Sequence, residues 1–152
     1  MTPPRFVLAS ASPRRSAVLD LLGIAHEVLP AHLPETVLSG EAPENRVERL
    51  ARAKAAAVAA LRPDALVLAG DTEVVAEGRT LGKPADEEEA VRMLTSLAGR
   101  SHRVLTCLAL ALPTPLAQPE TDGISPRAGD PSGDRADASG PGSILARVDV
   151  AE

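Results

Sequence analysis

The chain has 152 residues, 44% hydrophobic and 24% charged, within the range of a single soluble globular domain. Its net charge of −5 excludes a broadly basic nucleic-acid surface and makes any anion site a local feature. Cys107 is the only cysteine, which excludes an internal disulfide and a cysteine zinc cluster, and Phe6 is the only aromatic residue, so the core must be aliphatic. No apolar run reaches the roughly 18 residues of a membrane span and no apolar leader opens the chain, so a cytoplasmic protein without membrane or nucleic-acid partners is expected.

Phe6 to Ala9 is a short apolar run, followed at once by Ser12-Pro13, an N-cap residue and a proline at the first helical position. This predicts strand, tight turn and helix, with Val18, Leu19, Leu21 and Leu22 forming one apolar side and Gly23 ending the helix. His26 to Pro30 reads as a second strand and Ala31 to Pro43 as a loop. From Glu44 to Leu61, Val47, Leu50, Ala51, Val58 and Leu61 recur at helical spacing in a stretch rich in Ala and Arg. Ala65 to Ala69 is then a continuous apolar strand bounded by Gly70, the kind that lies inside a sheet covered by helices. A hairpin is predicted over Val74 to Leu81, turning at Glu77-Gly78-Arg79. Asp86 and Glu89 form a capping box ahead of a helix bearing Val91, Met93, Leu94 and Leu97, which Gly99 ends. Arg103 to Leu112 is a strand.

The order β-α-β-α-β-β-α-β is that of a layered α/β domain, placed over residues 1–112. Residues 113–143 are dense in Pro, Gly and Ser, with Leu116 and Ile124 as their only large apolar residues, and read as a flexible loop. A strand-like pattern returns over residues 144–152.

Three features carry chemistry. Ser10 to Arg15 joins a strand end to a helix N-terminus, where free backbone N–H groups and the helix dipole favour an anion; Arg14 and Arg15 oppose that dipole unless an anion sits between them, and otherwise are two solvated arginines. Lys54 falls in the middle of the apolar stripe of the Glu44–Leu61 helix, either snorkelling at the edge of the core or facing a cleft that holds an anion. Asp71, in Gly70-Asp71-Thr72, follows the apolar strand, and is either a turn aspartate or a ligand-facing carboxylate at a strand end. Lys83 adds a cation on the stiff Gly82-Lys83-Pro84 turn. Together these supply cations for phosphate oxygens and carboxylates for a divalent metal and a water. His26, His32 and His102 lack metal-ligand spacing, no serine sits in a nucleophile elbow, and Cys107 lies in an apolar run as a core residue.

The ordered series Leu8-Ala9-Ser10-Ala11-Ser12-Pro13-Arg14-Arg15, Glu35, Leu50-Ala51-Arg52-Ala53-Lys54-Ala55, Gly70-Asp71-Thr72, Leu81-Gly82-Lys83-Pro84 and Gly99-x-x-His102-x-Val104-x-Thr106 resembles the Maf family, from Phe6 to about Leu112. The resemblance implies a layered α/β Maf/ITPase-like fold with a mixed sheet and flanking helices. It also implies a pyrophosphatase that hydrolyses nucleoside triphosphates with Mg²⁺ or Mn²⁺, and a homodimer. The two arginines after Ser-Pro and the threonine after the aspartate are similar to the branch acting on dTTP and UTP, with 7-methyl-GTP hydrolysis or a non-catalytic, septum-linked nucleotide-binding role as alternatives. Carried over, Asp71 would be the proton acceptor, Arg14 and Thr72 would shape base specificity, Ser10, Arg15, Lys54 and Lys83 would hold phosphates, and Glu35 would join Asp71 at the metal. The sequence departs from the family at Glu73, where an apolar residue is usual. The family's second lobe, with its lysine- and glutamine-bearing segment, has no counterpart in these residues, so residues 144–152 are expected to begin the strand that leads into it.

Overall fold

A computed structural model describes residues 5–114 and 144–151. Its elements are β1 (Arg5–Leu8), α1 (Pro13–Leu21), β2 (Glu27–Val28), α2 (Pro43–Leu61), β3 (Ala65–Ala76), β4 (Arg79–Leu81), α3 (Glu87–Leu97), β5 (Arg103–Ala111) and β6 (Ile144–Ala151). The strands form one six-stranded mixed sheet in the order β2-β1-β3-β5-β6, with β4 also pairing β3. β1 is parallel to β2 and β3, whereas β4 and β5 run antiparallel to β3, and β6 antiparallel to β5. The α/β layering expected from the sequence is therefore present. The flexible loop expected over 113–143 falls, but for its first two residues, outside the described residues.

The core lies between α2 and one face of the sheet. Val47, Ala51, Ala55 and Val58 of α2 are buried and meet Val67 and Ala69 of β3 with Leu105, Cys107 and Ala109 of β5, while Leu50, also buried, lies toward the cleft. Small side chains on these strands let the helix approach closely, as an interior without aromatic residues requires. Leu61, expected on the same stripe, is 64% exposed because it lies at the last position of the helix, and Ala55 takes its place in the core.

Three further expectations need correction. Of the apolar residues read as the inner side of α1 only Leu19 is buried; Val18, Leu21 and the C-cap Leu22 face outward, so one apolar residue and not a stripe packs this nine-residue helix inward. A second tie comes from His26, whose Nε2 is hydrogen-bonded with the Ser16 hydroxyl at 2.8 Å and whose Nδ1 donates to the Ile24 carbonyl at 2.9 Å, joining α1 to the approach to β2. Helix α3 has the expected cap, Glu89 N–H donating to Asp86 Oδ1 at 2.7 Å and Ala85 N–H to Glu89 Oε2 at 2.6 Å, but it buries no residue. Finally, β3 does not stop at Gly70. It runs on for 12 residues because β5 pairs with it without interruption, from Val67 opposite Ala111 to Val75 opposite Arg103. Only alternate residues of its apolar run face α2: Leu66 and Leu68 lie on the other face, with Leu110 and Leu145 aligned beside Leu68 through the register. The predicted hairpin is present, its turn made by Glu77 and Gly78 with φ of 51° and 76°.

Candidate active site

The edge of β3 nearest β1 changes neighbours partway along. Residues 65–68 pair with β1, and residues 74–76 pair with β4. Between them lies a notch in the sheet. Ala9 N–H donates to Leu68 C=O across the β1 side, and the strand alternates without a bulge, so the backbone groups of Gly70 and Thr72 also point to this edge. The notch opens into a cleft of about 950 Å³, at the upper end of the size of ordinary ligand sites. Its lining includes the side chains of Arg14, Arg15, Arg46, Lys54 and Lys83 against those of Glu35, Asp71 and Glu73. A cation surplus thus exists here on a chain of net charge −5.

Two groups of residues meet at the notch, one from each face of β3. On the face opposite α2, the β1–α1 turn presents Ser10 and the first turn of α1 presents Arg15. Ser12 holds the N-cap position with Pro13 at N1, but its side chain makes no cap bond. Instead Ser10 Oγ accepts from Ser12 N–H at 3.2 Å and from Arg15 Nη1 at 3.0 Å, while Arg15 Nη2 donates to Thr72 Oγ1 at 3.0 Å. Thr72 Oγ1 is in turn 3.2 Å from Thr106 Oγ1. The Arg15 guanidinium is thereby fixed with further N–H groups uncommitted. Burial pulls its pKa down, the Asp71 charge opposes that, and the Arg14 charge adds to it, an imbalance that an anion would relieve.

On the α2 face, Lys54 reaches across to two carboxylates. Its Nζ lies 2.6 Å from Asp71 Oδ1 and 2.7 Å from Glu35 Oε1. The side chains of Lys54 and Asp71 are each only 12% exposed, so the lysine in the apolar stripe is a buried ion-pair partner and not a snorkelling one. Burial works against its charge, but hydrogen bonds to Asp71 and Glu35 outweigh that and hold its pKa above the ordinary lysine value. The Lys54 hydrogen bond, against a smaller effect of burial, lowers the Glu35 carboxyl below its usual range, with help from Lys83 at 3.7 Å.

Glu35 sits in the segment between β2 and α2, which arginines of α2 hold in place: Arg49 donates to Thr36 C=O at 3.0 Å and to Glu41 Oε2 at 2.7 Å, and Arg46 to Glu35 C=O at 3.4 Å.

The structure thus joins Ser10, Arg15 and Thr72 by direct contacts on one face of β3 and Lys54, Asp71 and Glu35 on the other, and both groups line one cleft. Arg14 and Lys83 line the same cleft, but their side chains stand in solvent; that of Lys83 is 90% exposed. Asp71 is not at a strand terminus, as expected from Gly70, but within β3 at the point where one strand edge is bare. Sequence reasoning missed the loop-holding role of Arg46 and Arg49, and the position of Glu73. Glu73 is two residues beyond Asp71 in a strand and so shares its face, a period-two signal present in the sequence. It is 7% exposed and pairs with Arg46 Nε at 3.1 Å; burial raises its pKa against the pull of Arg46. Cys107 is fully buried, its pKa pushed up by burial to about 11, which fits the core role read for it. Among the described residues no helix is long and apolar enough to cross a membrane, and no three His, Cys, Asp or Glu side chains are grouped to hold a metal by themselves.

Comparison with known proteins gives this arrangement a context. A family model described as "Maf-like protein" matches residues 5–125. A dTTP/UTP pyrophosphatase of Syntrophus aciditrophicus (strain SB) is 51% identical over 110 residues, which cover 72% of this chain and 54% of that protein. Another from Anaeromyxobacter sp. (strain Fw109-5) is 55% identical over 102 residues, covering 67% and 48%. One from Bacillus velezensis (strain DSM 23117 / BGSC 10A6 / LMG 26770 / FZB42) is 45% identical over 106 residues, covering 70% and 56%. The chain spans about half the length of these curated relatives. With a six-stranded mixed sheet, a cation-rich notch in it and a family match over most of its length, the chain belongs to the Maf family.

Proposed function

We propose that the cleft is the site of a nucleoside triphosphate pyrophosphatase that acts on dTTP and UTP and releases the monophosphate and pyrophosphate. The observation that carries this reading is the meeting, at one bare edge of β3, of a hydrogen-bonded arginine from one face and a lysine-bridged carboxylate pair from the other. The pyrophosphatase relatives, about half identical over this region, support it.

In this reading Arg15, already held by Ser10 and Thr72, offers its remaining N–H groups to phosphate oxygens, and Ser10 and the exposed Lys83 add donors around the chain of phosphates. Lys54 provides a fixed positive charge beside the reacting phosphate. Asp71 accepts a proton from the water that adds to phosphorus, while the bridging oxygen departs with its electron pair. Thr72 and the exposed Arg14 are assigned to the base in this reading, through the family resemblance.

A divalent cation fits the donors present. Asp71 and Glu35 each give one carboxylate oxygen to Lys54 Nζ, which leaves Asp71 Oδ2 and Glu35 Oε2 as the hard donors that would hold the ion, and Mg²⁺ is commonly held by one or two carboxylates completed by water and phosphate. When bound, such a cation would neutralise charge on the phosphate oxygens. A homodimer and a cytoplasmic setting belong to this reading through the family resemblance, and sedimentation velocity and cell fractionation test them.

The test is release of pyrophosphate from dTTP and UTP in the presence of Mg²⁺ or Mn²⁺. Asp71→Asn should lower turnover by about 10²–10⁴-fold, the size of a general-base contribution, while retaining nucleotide binding. Turnover in that variant within a few-fold of the parent would remove Asp71 as the base. No pyrophosphate release by the parent chain from either nucleotide would refute the substrate assignment.

A further inference from the structure

We infer that Gly70 is a positioning residue for Arg15: the side chain it lacks leaves the space in which the arginine's guanidinium rests on β3. The inference rests on the reading of Arg15 as a phosphate ligand, and it adds a requirement at a position to which that reading gives no role.

A glycine in a strand interior weakens the strand and usually marks a bulge or a close approach. Position 70 is not a bulge, since the pairing of β3 with β5 passes through Gly70 opposite Leu108 without a skipped residue. The backbone does not call for glycine either, because Gly70 lies outside the left-handed region. What remains is space. A Cβ built on Gly70 would lie 3.1 Å from Arg15 Nε, 3.2 Å from Arg15 Cζ and 3.1 Å from Leu108 Cδ2. Each distance is inside the roughly 3.5–4.0 Å of an ordinary carbon contact.

The guanidinium has little freedom to retreat. Nη1 is tied to Ser10 Oγ and Nη2 to Thr72 Oγ1, both at 3.0 Å, and Thr72 is itself beside Thr106. Lifting the plane off the strand to admit a methyl group stretches both bonds together. Leu108, directly across the ladder, closes the remaining side. Gly70 therefore acts through Arg15, setting the height of the guanidinium above the strand edge from which the Gly70 and Thr72 backbone groups face the cleft.

The experiment uses the full chain and two readouts. In ¹H–¹⁵N spectra, the Arg15 Nε–H signal is identified by its loss in Arg15→Ala, and its exchange is compared with that of the exposed Arg14. Binding of inorganic tripolyphosphate is followed by calorimetry. In the parent, Arg15 should exchange at least tenfold more slowly than Arg14. Gly70→Ala should erase that difference and weaken tripolyphosphate binding at least fivefold, and in an Arg15→Ala background it should change binding less than twofold. Gly70→Ala/Leu108→Ala relieves the second contact; it supplies a folded variant if Gly70→Ala alone unfolds, and it should still show fast Arg15 exchange. An unchanged Arg15 signal in Gly70→Ala overturns the inference, as does its recovery in the double variant, which would assign the effect to Leu108 packing, or an equal loss of binding without Arg15. A parent chain that binds no tripolyphosphate counts against the phosphate-site reading, while the exchange data still decide the role of Gly70.

Discussion

Replacing Lys54 with methionine separates charge from volume at the centre of the site. The substitution keeps an unbranched chain in the apolar stripe of α2 and removes the ammonium that lies 2.6 Å from Asp71 and 2.7 Å from Glu35. Two carboxylates then face each other without a cation between them. Removing one partner of a buried ion pair costs about 3–5 kcal/mol when the other charge stays buried and unpaired. Asp71, with a side chain 12% exposed, approaches that limit, whereas Glu35 at 37% is partly screened by water and adds at most about 1 kcal/mol. Methionine packs against the core and returns part of the loss, so the net expectation is about 2–4 kcal/mol at pH 7. For a domain of this size that corresponds to a fall in Tm on the order of 10 °C. The loss should shrink as pH falls and Glu35, no longer held by Lys54, takes up a proton. Thermal denaturation followed by circular dichroism at pH 7 and pH 4.5 measures both effects. A variant within about 0.5 kcal/mol of the parent at pH 7, or one whose deficit is the same at both pH values, would show that the pair is solvated and that the burial argument is wrong.

Other outcomes follow from the same contacts. Leu105→Ala removes a fully buried side chain from the α2–β5 interface and should cost about 2–5 kcal/mol by urea denaturation, whereas Leu94→Ala on the exposed face of α3 should stay within about 0.5 kcal/mol. Because Lys54 holds the Glu35 carboxyl below its unfolded value, Glu35 contributes stability that is present above the unfolded pKa and lost as pH falls through the folded one. Glu35→Gln should accordingly flatten the acid limb of the stability profile between pH 5 and 3, and an unaltered limb would contradict the assigned pairing. Cys107, buried and with its pKa raised to about 11, should resist a thiol reagent at pH 8 until the chain is unfolded.

Much of this arrangement is legible in the sequence because it depends on local rules. The period of α2, the Glu77-Gly78 turn and the Asp86–Glu89 cap are each set by residues within a few positions of one another, and each lies where its pattern places it. The partners of Lys54 were not readable from composition, but its anomalous place in an apolar stripe was, and the anomaly marked the site. What escaped notice is non-local. Gly70 looks like a strand end until β5 is known to pair past it, because a ladder formed with residues about 28 to 38 positions away overrides the weak strand preference of Gly and Asp. The apolar run of α1 gives no sign that three of its four large residues face outward, since helical periodicity reports a possible contact face and not the presence of something to cover it. Glu73 is a third case: its pairing with Arg46 depends on how α2 lies across β3, which neither segment encodes alone.

The unbroken pleat of β3 has one more consequence. Asp71 and Thr72 are neighbours in the chain, yet they serve opposite sides of the sheet, Asp71 toward Lys54 on α2 and Thr72 toward Arg15 on α1. Substitutions at one position can therefore accumulate without rearranging the surroundings of the other, which makes the two sides separately tunable over an evolutionary history. The same geometry forbids a change of length just before the pair: adding one residue between Ala69 and Asp71, or losing Gly70, would exchange the two sides at a stroke, handing the carboxylate to the arginine and the hydroxyl to the lysine. The strand admits variation in identity and almost none in length.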